Sequence, residues 1–74
     1  MRIILKSIDK SKHSIVIDKN SSVLELKYKI ESELQKDIRM IRLIYDGIPL
    51  LDNNKISDYG IIENSIIYIL YQMY

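Results

Sequence analysis

Apolar and polar side chains alternate over residues 2–7. Ile3 and Leu5 point one way, and Arg2, Ile4 and Lys6 the other. Polar Asp9-Lys10-Ser11-Lys12 interrupts the pattern. It resumes with His13, Ile15 and Ile17 against Lys12, Ser14, Val16 and Asp18. Two alternating runs joined by a short polar loop predict a β-hairpin. Asn20-Ser21-Ser22 then precedes Val23-Leu24-Glu25, where Ser22 suits an N-cap and Glu25 completes a capping box. Apolar residues at 23, 26, 30 and 34 follow helical spacing and build one buried stripe. Lys27 with Glu31, and Lys29 with Glu33, stand four apart and are expected to pair along the helix surface. The helix is expected to stop between Leu34 and Lys36, where no glycine supplies a left-handed cap.

Residues Met40 to Tyr45 predict a third strand, with Ile41, Leu43 and Tyr45 on one face and Met40, Arg42 and Ile44 on the other. Asp46-Gly47 signals a hairpin turn, since glycine accepts positive φ at little cost. Pro49 cannot donate to a ladder, so the strand after the turn must be short and at an edge. Residues 52–60 form a polar connection, and Ile66 to Gln72 the last strand, apolar enough to lie centrally. The order ββαβββ predicts an α+β domain, one helix on one mixed sheet.

At 74 residues the chain holds one domain, residues 1–74, with a thin margin of stability. Apolar residues make up 47% and charged ones 28%, which fits a folded surface over a branched aliphatic core. A net charge of +1 with interleaved acids and bases gives no footprint for nucleic acid or an anionic membrane. No apolar run approaches the roughly 20 residues of a membrane span. The absence of cysteine excludes disulfides and thiolate zinc sites, and points to a cytoplasmic or nuclear setting.

Four motifs, in register, resemble the ubiquitin family over essentially the whole chain: Met1-x-Ile3-x-x-Lys6; Val23-x-x-Leu26-Lys27-x-Lys29-Ile30; Arg42-Leu43-Ile44-Tyr45-x-Gly47 with Leu50-x-Asp52; and Ile56-Ser57-Asp58-Tyr59-x-Ile61 with Ser65. The match needs no gap from residue 1 to 74. The resemblance implies the β-grasp fold, with a core of Ile3, Leu5, Ile15, Ile17, Val23, Leu26, Ile30, Leu43, Leu50, Ile56, Ile61, Ile67 and Ile69. It also implies an ion pair between Lys27 and Asp52, and a Tyr59 hydroxyl that pins the neighbouring loop.

The family's main recognition surface lies on the sheet face away from the helix. Carried over residue by residue, its apolar centre is Ile8, Ile44 and Leu70, with Lys6, Arg42, Gly47 and Tyr68 around it. Ile4, Ile48 and Ile66 are expected to reach the same face and make it more apolar than in ubiquitin. The implied function is a non-catalytic interaction module. Its implied partners are ubiquitin-interacting helices, three-helix ubiquitin-binding domains or proteasomal receptors, as for the amino-terminal domains of proteasome shuttle factors and ubiquilins. The same apolar face allows weak self-association. Two other readings stay open: a ubiquitin-type modifier whose Gly-Gly tail lies beyond these residues, and a structural subunit whose open face is permanently capped.

Tyr71-Gln72-Met73-Tyr74 lacks the Gly-Gly that conjugation requires, so the chain as written is expected not to be conjugated. Lys10 and Gln35 stand where ubiquitin has glycine, so each either carries a strained backbone or re-forms its loop. His13, the one histidine, falls in line with Ile15 and Ile17 and is expected to be structural, neutral and hydrogen-bonded. One histidine without cysteine makes no zinc site, no carboxylate cluster has calcium-loop spacing, and no Gly-rich loop cradles phosphate. No enzyme activity, metal or cofactor is expected.

Overall fold

The structure, a computed structural model, describes residues 1–72. Strands β1 (Arg2–Ser7) and β2 (Lys12–Val16) form the first hairpin, followed by helix α1 (Val23–Leu34). A 3-10 turn at Ile38–Met40 leads into β3 (Ile41–Tyr45), which turns into β4 (Ile48–Pro49). A second 3-10 turn at Ile56–Tyr59 precedes β5 (Ile66–Tyr71). The sheet order is β2-β1-β5-β3-β4. β1 and β5 run parallel, and the other neighbours antiparallel. The β-grasp expectation holds: β5 is central, and the proline strand is at the edge, where its missing N–H costs no ladder bond.

All thirteen expected core residues are buried between helix and sheet, and Ile41 joins them. Each such side chain contributes about 1.5–3 kcal/mol gross, most of it offset by conformational entropy. Ile41 is a correction to the sequence reading, which began the strand at Met40 and left Ile41 outside the core. The Asp37 carboxylate accepts from the Arg39 N–H at 2.9 Å, and Glu31 at the end of α1 accepts from the Ile38 N–H at 2.9 Å. These bonds coil residues 38–40 into a turn against the helix, which sets Ile41 beneath it.

The helix start follows the sequence. Ser22 Oγ accepts from the Glu25 N–H at 3.1 Å, and Glu25 Oε1 accepts from the Ser22 N–H at 3.3 Å. The surface pairs do not follow it. Lys27 Nζ lies 2.6 Å from Asp52 Oδ1, and Lys29 Nζ donates to the Val16 carbonyl. Glu33 meets His13 Nε2 at 3.2 Å. Each lysine finds a tertiary partner, which outweighs the few tenths of a kcal/mol of a lysine-first helix pair. His13 is hydrogen-bonded as expected, yet its side chain is 41% exposed, because it sits at the rim where β2 meets the last turn of α1.

The loops keep left-handed backbone without glycine. Ile8-Asp9-Lys10 close the first hairpin with Lys10 at φ 70°, and Gln35 caps α1 at φ 58°. Asp46 and Gly47, at φ 53° and 76°, make the type I′ turn their sequence signals. Gln35 recovers part of its cost by donating from Nε2 to the Ser32 carbonyl at 3.0 Å. Lys10→Gly is therefore expected to stabilise the fold by about 1 kcal/mol, and Gln35→Gly by less. Thermal unfolding checks this as a rise of about 4–8 °C per kcal/mol for a domain of this size.

The Arg39 guanidinium and backbone N–H beside Asp37 hold its carboxyl down from the usual 3.8 to about 2. A depressed folded-state value means that the ionised carboxylate stabilises the turn above about pH 3.8 and that this contribution is lost as pH falls toward 2. An NMR titration of the Asp37 carboxyl is expected to find its midpoint near 2, and an Arg39→Ala variant should move it back toward 3.8.

Candidate protein-docking surface

The sheet has one face under α1 and one open. Alternation assigns Arg2, Ile4 and Lys6 of β1, Lys12, Ser14 and Val16 of β2, Arg42 and Ile44 of β3, and Ile66, Tyr68 and Leu70 of β5 to the open face. The register sets their neighbours. Ile4 lies across from Ile66, Tyr68 lies between Lys6 and Ile44, and Leu70 lies across from Arg42. Ile44 is thus diagonal to Leu70 along the β3–β5 ladder, a separation of about 7–8 Å that large side chains bridge. An oblique apolar stripe of Ile4, Ile66, Tyr68, Ile44 and Leu70 crosses the sheet.

Ile8 projects from the first hairpin and is 88% exposed. It shares with Leu70 and Tyr71 a shallow hollow of about 380 Å³ that Asp9 and Lys36 also line. Ile8 thus adjoins Leu70 at the hairpin end, where the hollow's other walls, Ile69, Tyr71 and Lys36, belong to the helix side of the sheet. Tyr68 at 48% and Leu70 at 39% remain open to water. Gly47 sits in the adjoining turn and contributes backbone only.

Ile48 is placed differently from the sequence expectation. The two-residue turn pairs it with Tyr45, whose ring packs on the core, and brings Pro49 opposite Ile44. Ile48 is exposed at the sheet's outer edge, on the Tyr45 side and out of the Ile44 row. The sequence reading also missed Lys36 and Tyr71. The Lys36 ammonium lies 5.0 Å from the Tyr71 ring centroid, beside the hollow. Tertiary packing of the segment after α1 against the end of β5 joins these two residues, which are far apart in the chain. Burial pushes the Tyr71 phenol up, opposed by a Ser7 hydrogen bond and reinforced by the Asp9 carboxylate.

Charge is distributed unevenly around the stripe. Arg2, Lys6, Lys12 and Arg42 are on the open face, and none of its strand positions is acidic. Lys6 Nζ stands 6.0 Å from the Tyr68 ring centroid, at the limit of a cation–π contact. An apolar stripe rimmed by cations binds a complementary surface through burial, with orientation set by charge. Among the described residues no group of three His, Cys, Asp or Glu side chains is placed to hold a metal ion.

The loop framing the sheet's far end is held by the two contacts the resemblance implied. Lys27, buried at the start of α1, meets Asp52. The Tyr59 hydroxyl accepts from the Leu51 N–H at 2.8 Å and from Asn54 Nδ2 at 2.9 Å.

The family model described as "Ubiquitin family" matches residues 3–73. The chain belongs to the ubiquitin family. It is 34% identical over 73 residues to the UV excision repair protein RAD23 homolog B of Rattus norvegicus, covering 95% of this chain and 18% of that protein. The Homo sapiens homolog B matches at the same identity and coverage. Ubiquitin-like protein 4A of Rhinolophus ferrumequinum is 29% identical over 65 residues, 88% of this chain and 41% of that protein. The chain thus spans less than half the length of each of these relatives and corresponds to a ubiquitin-like domain similar to theirs. The tail expectation falls partly on Met73 and Tyr74, outside the described residues.

Proposed function

We propose that this ubiquitin-like domain is a recognition module that docks ubiquitin-receptor or proteasome-associated domains through Ile8, Ile44 and Leu70. Lys6, Arg42 and Tyr68 border the contact, and Gly47 marks its edge at the turn. The observation that carries this reading is the half-exposed apolar stripe whose charged strand neighbours on the open face are all basic. Contiguous apolar surface on a soluble domain marks an interaction site. The rim favours a helix or small helical domain whose apolar stripe is flanked by carboxylates. A second copy docked face to face would set Lys6 and Arg42 against like charges, so this face suits an acidic partner better than itself. UV excision repair, named for the mammalian relatives, is not carried over to a chain that spans 18% of their length.

An interface confined to one small sheet face supports micromolar to sub-millimolar affinity, about −5 to −8 kcal/mol. Ile44→Ala removes part of the centre of the stripe, from a half-buried position outside the core. Calorimetric titration with an acidic ubiquitin-interacting helix is expected to show at least about a tenfold loss of affinity for this variant, equivalent to about 1.4 kcal/mol. Its circular dichroism should match the parent. Undiminished binding would place the contact elsewhere.

A further inference from the structure

The outer side of β2 is a sheet edge that one helix side chain reaches. The Ile17 N–H donates to the Met1 carbonyl and the Ser7 N–H to the Ser11 carbonyl across the hairpin, which fixes the alternation between them. Odd-numbered residues of β2 face β1. Lys12, Ser14 and Val16 therefore turn their N–H and C=O groups outward. All three residues are exposed, and among the described residues β2 has no neighbouring strand on that side. Such a row is a template for another strand unless something blunts it. The blunting group is on the helix: Lys29 reaches from α1 and donates its ammonium to the Val16 carbonyl. Glu33, one turn further, meets His13 and ties the same strand to the helix without touching an outward-facing main-chain group.

The outward row is self-complementary. Rotation of a second copy about a twofold axis through Ser14 brings Ser14 against Ser14, and Lys12 of each copy against Val16 of the other. Each opposed pair then exchanges two main-chain bonds. One of those bonds joins the Lys12 N–H to the Val16 carbonyl that Lys29 occupies. Antiparallel pairing would also hold the Lys29 ammonium beside the Lys12 of the other copy. We propose that the β2 edge is a latent pairing surface for a second copy of this chain, and that Lys29 keeps the domain monomeric by occupying the Val16 carbonyl. Lys29 acts here through the main chain of β2, separately from the docking stripe.

Sedimentation of Lys29→Met and Lys29→Gln tests this, because both keep a long side chain on α1 while removing the ammonium. The parent is expected to sediment as a monomer of 8.8 kDa at about 100 µM, and either variant to double its mass. Amide exchange should slow at Lys12, Ser14 and Val16 in the dimer and remain fast there in the parent. Adding Ser14→Lys places like charges opposite each other at the axis and should restore the monomer. The proposal is overturned if both folded Lys29 variants stay monomeric, if their dimer survives Ser14→Lys, or if the parent itself pairs through β2. Should one variant unfold, the other and the parent's exchange pattern decide the question.

Discussion

Leu26→Ala is expected to remove a large share, about a third or more, of the stability of this domain. Leu26 is fully buried near the start of α1, and truncating a buried leucine costs about 2–5 kcal/mol through lost transfer energy and the cavity left behind. A domain of this length has only about 4–11 kcal/mol in total. Leu26 is packed between the sheet and the core residues contributed by the loops, such as Ile56 and Ile61, and all of them are themselves buried, so the site collapses only in part. Denaturant unfolding should give a midpoint reduced by roughly a third or more, with an unchanged slope. A loss under about 1 kcal/mol would mean that α1 is packed far more loosely than its fully buried stripe requires.

The second large effect is an asymmetry between the two partners of one ion pair. The Lys27 side chain is 8% exposed and its partner Asp52 is 47% exposed. Asp52→Ala leaves a nearly buried ammonium without its anion, and breaking a buried pair from one side costs about 3–5 kcal/mol. Water reaches this site, because Lys27 also lines an open hollow with Arg42 and Asn53. The expected cost is therefore lower, about 1–3 kcal/mol. Lys27→Met removes the buried charge and keeps its volume, and should change stability by less than about 1 kcal/mol. Denaturation of both variants and of the double variant checks the ordering. Equal losses from the two sides would show that the pair contributes through attraction alone, with no desolvation penalty to explain.

The buried architecture was legible because the periods are clean. Ile3 and Leu5 against Ile4 and Lys6, the helical spacing of Val23, Leu26 and Ile30, and the Asp46-Gly47 turn each dictate one local answer, and these answers agree. What the sequence obscured depends on contacts distant along the chain. Ile41 became core because Asp37 and Glu31 coil the preceding residues against the helix. Lys29 left its helix neighbour for the Val16 carbonyl, whereas the Lys27–Asp52 pair was implied by the resemblance. Lys10 and Gln35 hold left-handed backbone that their side chains argue against, because the turns around them leave one conformation. At the candidate surface, alternation alone assigned Ile44, Tyr68 and Leu70 to the open face. Ile48 was misplaced because a two-residue turn exchanges which residue lies opposite Ile44, and Lys36 meets Tyr71 only through tertiary packing.

Docking through the open face is tested most directly by titrating the isotope-labelled domain with an acidic ubiquitin-interacting helix while following its NMR spectrum. The expected result is saturable shifts in the micromolar to sub-millimolar range, centred on Ile8, Ile44, Tyr68 and Leu70 and reaching Lys6 and Arg42, with the outer face of α1 around Tyr28 and Ser32 unmoved. Shifts centred on α1 or on the β2 edge, with Ile44 and Leu70 still, would contradict it.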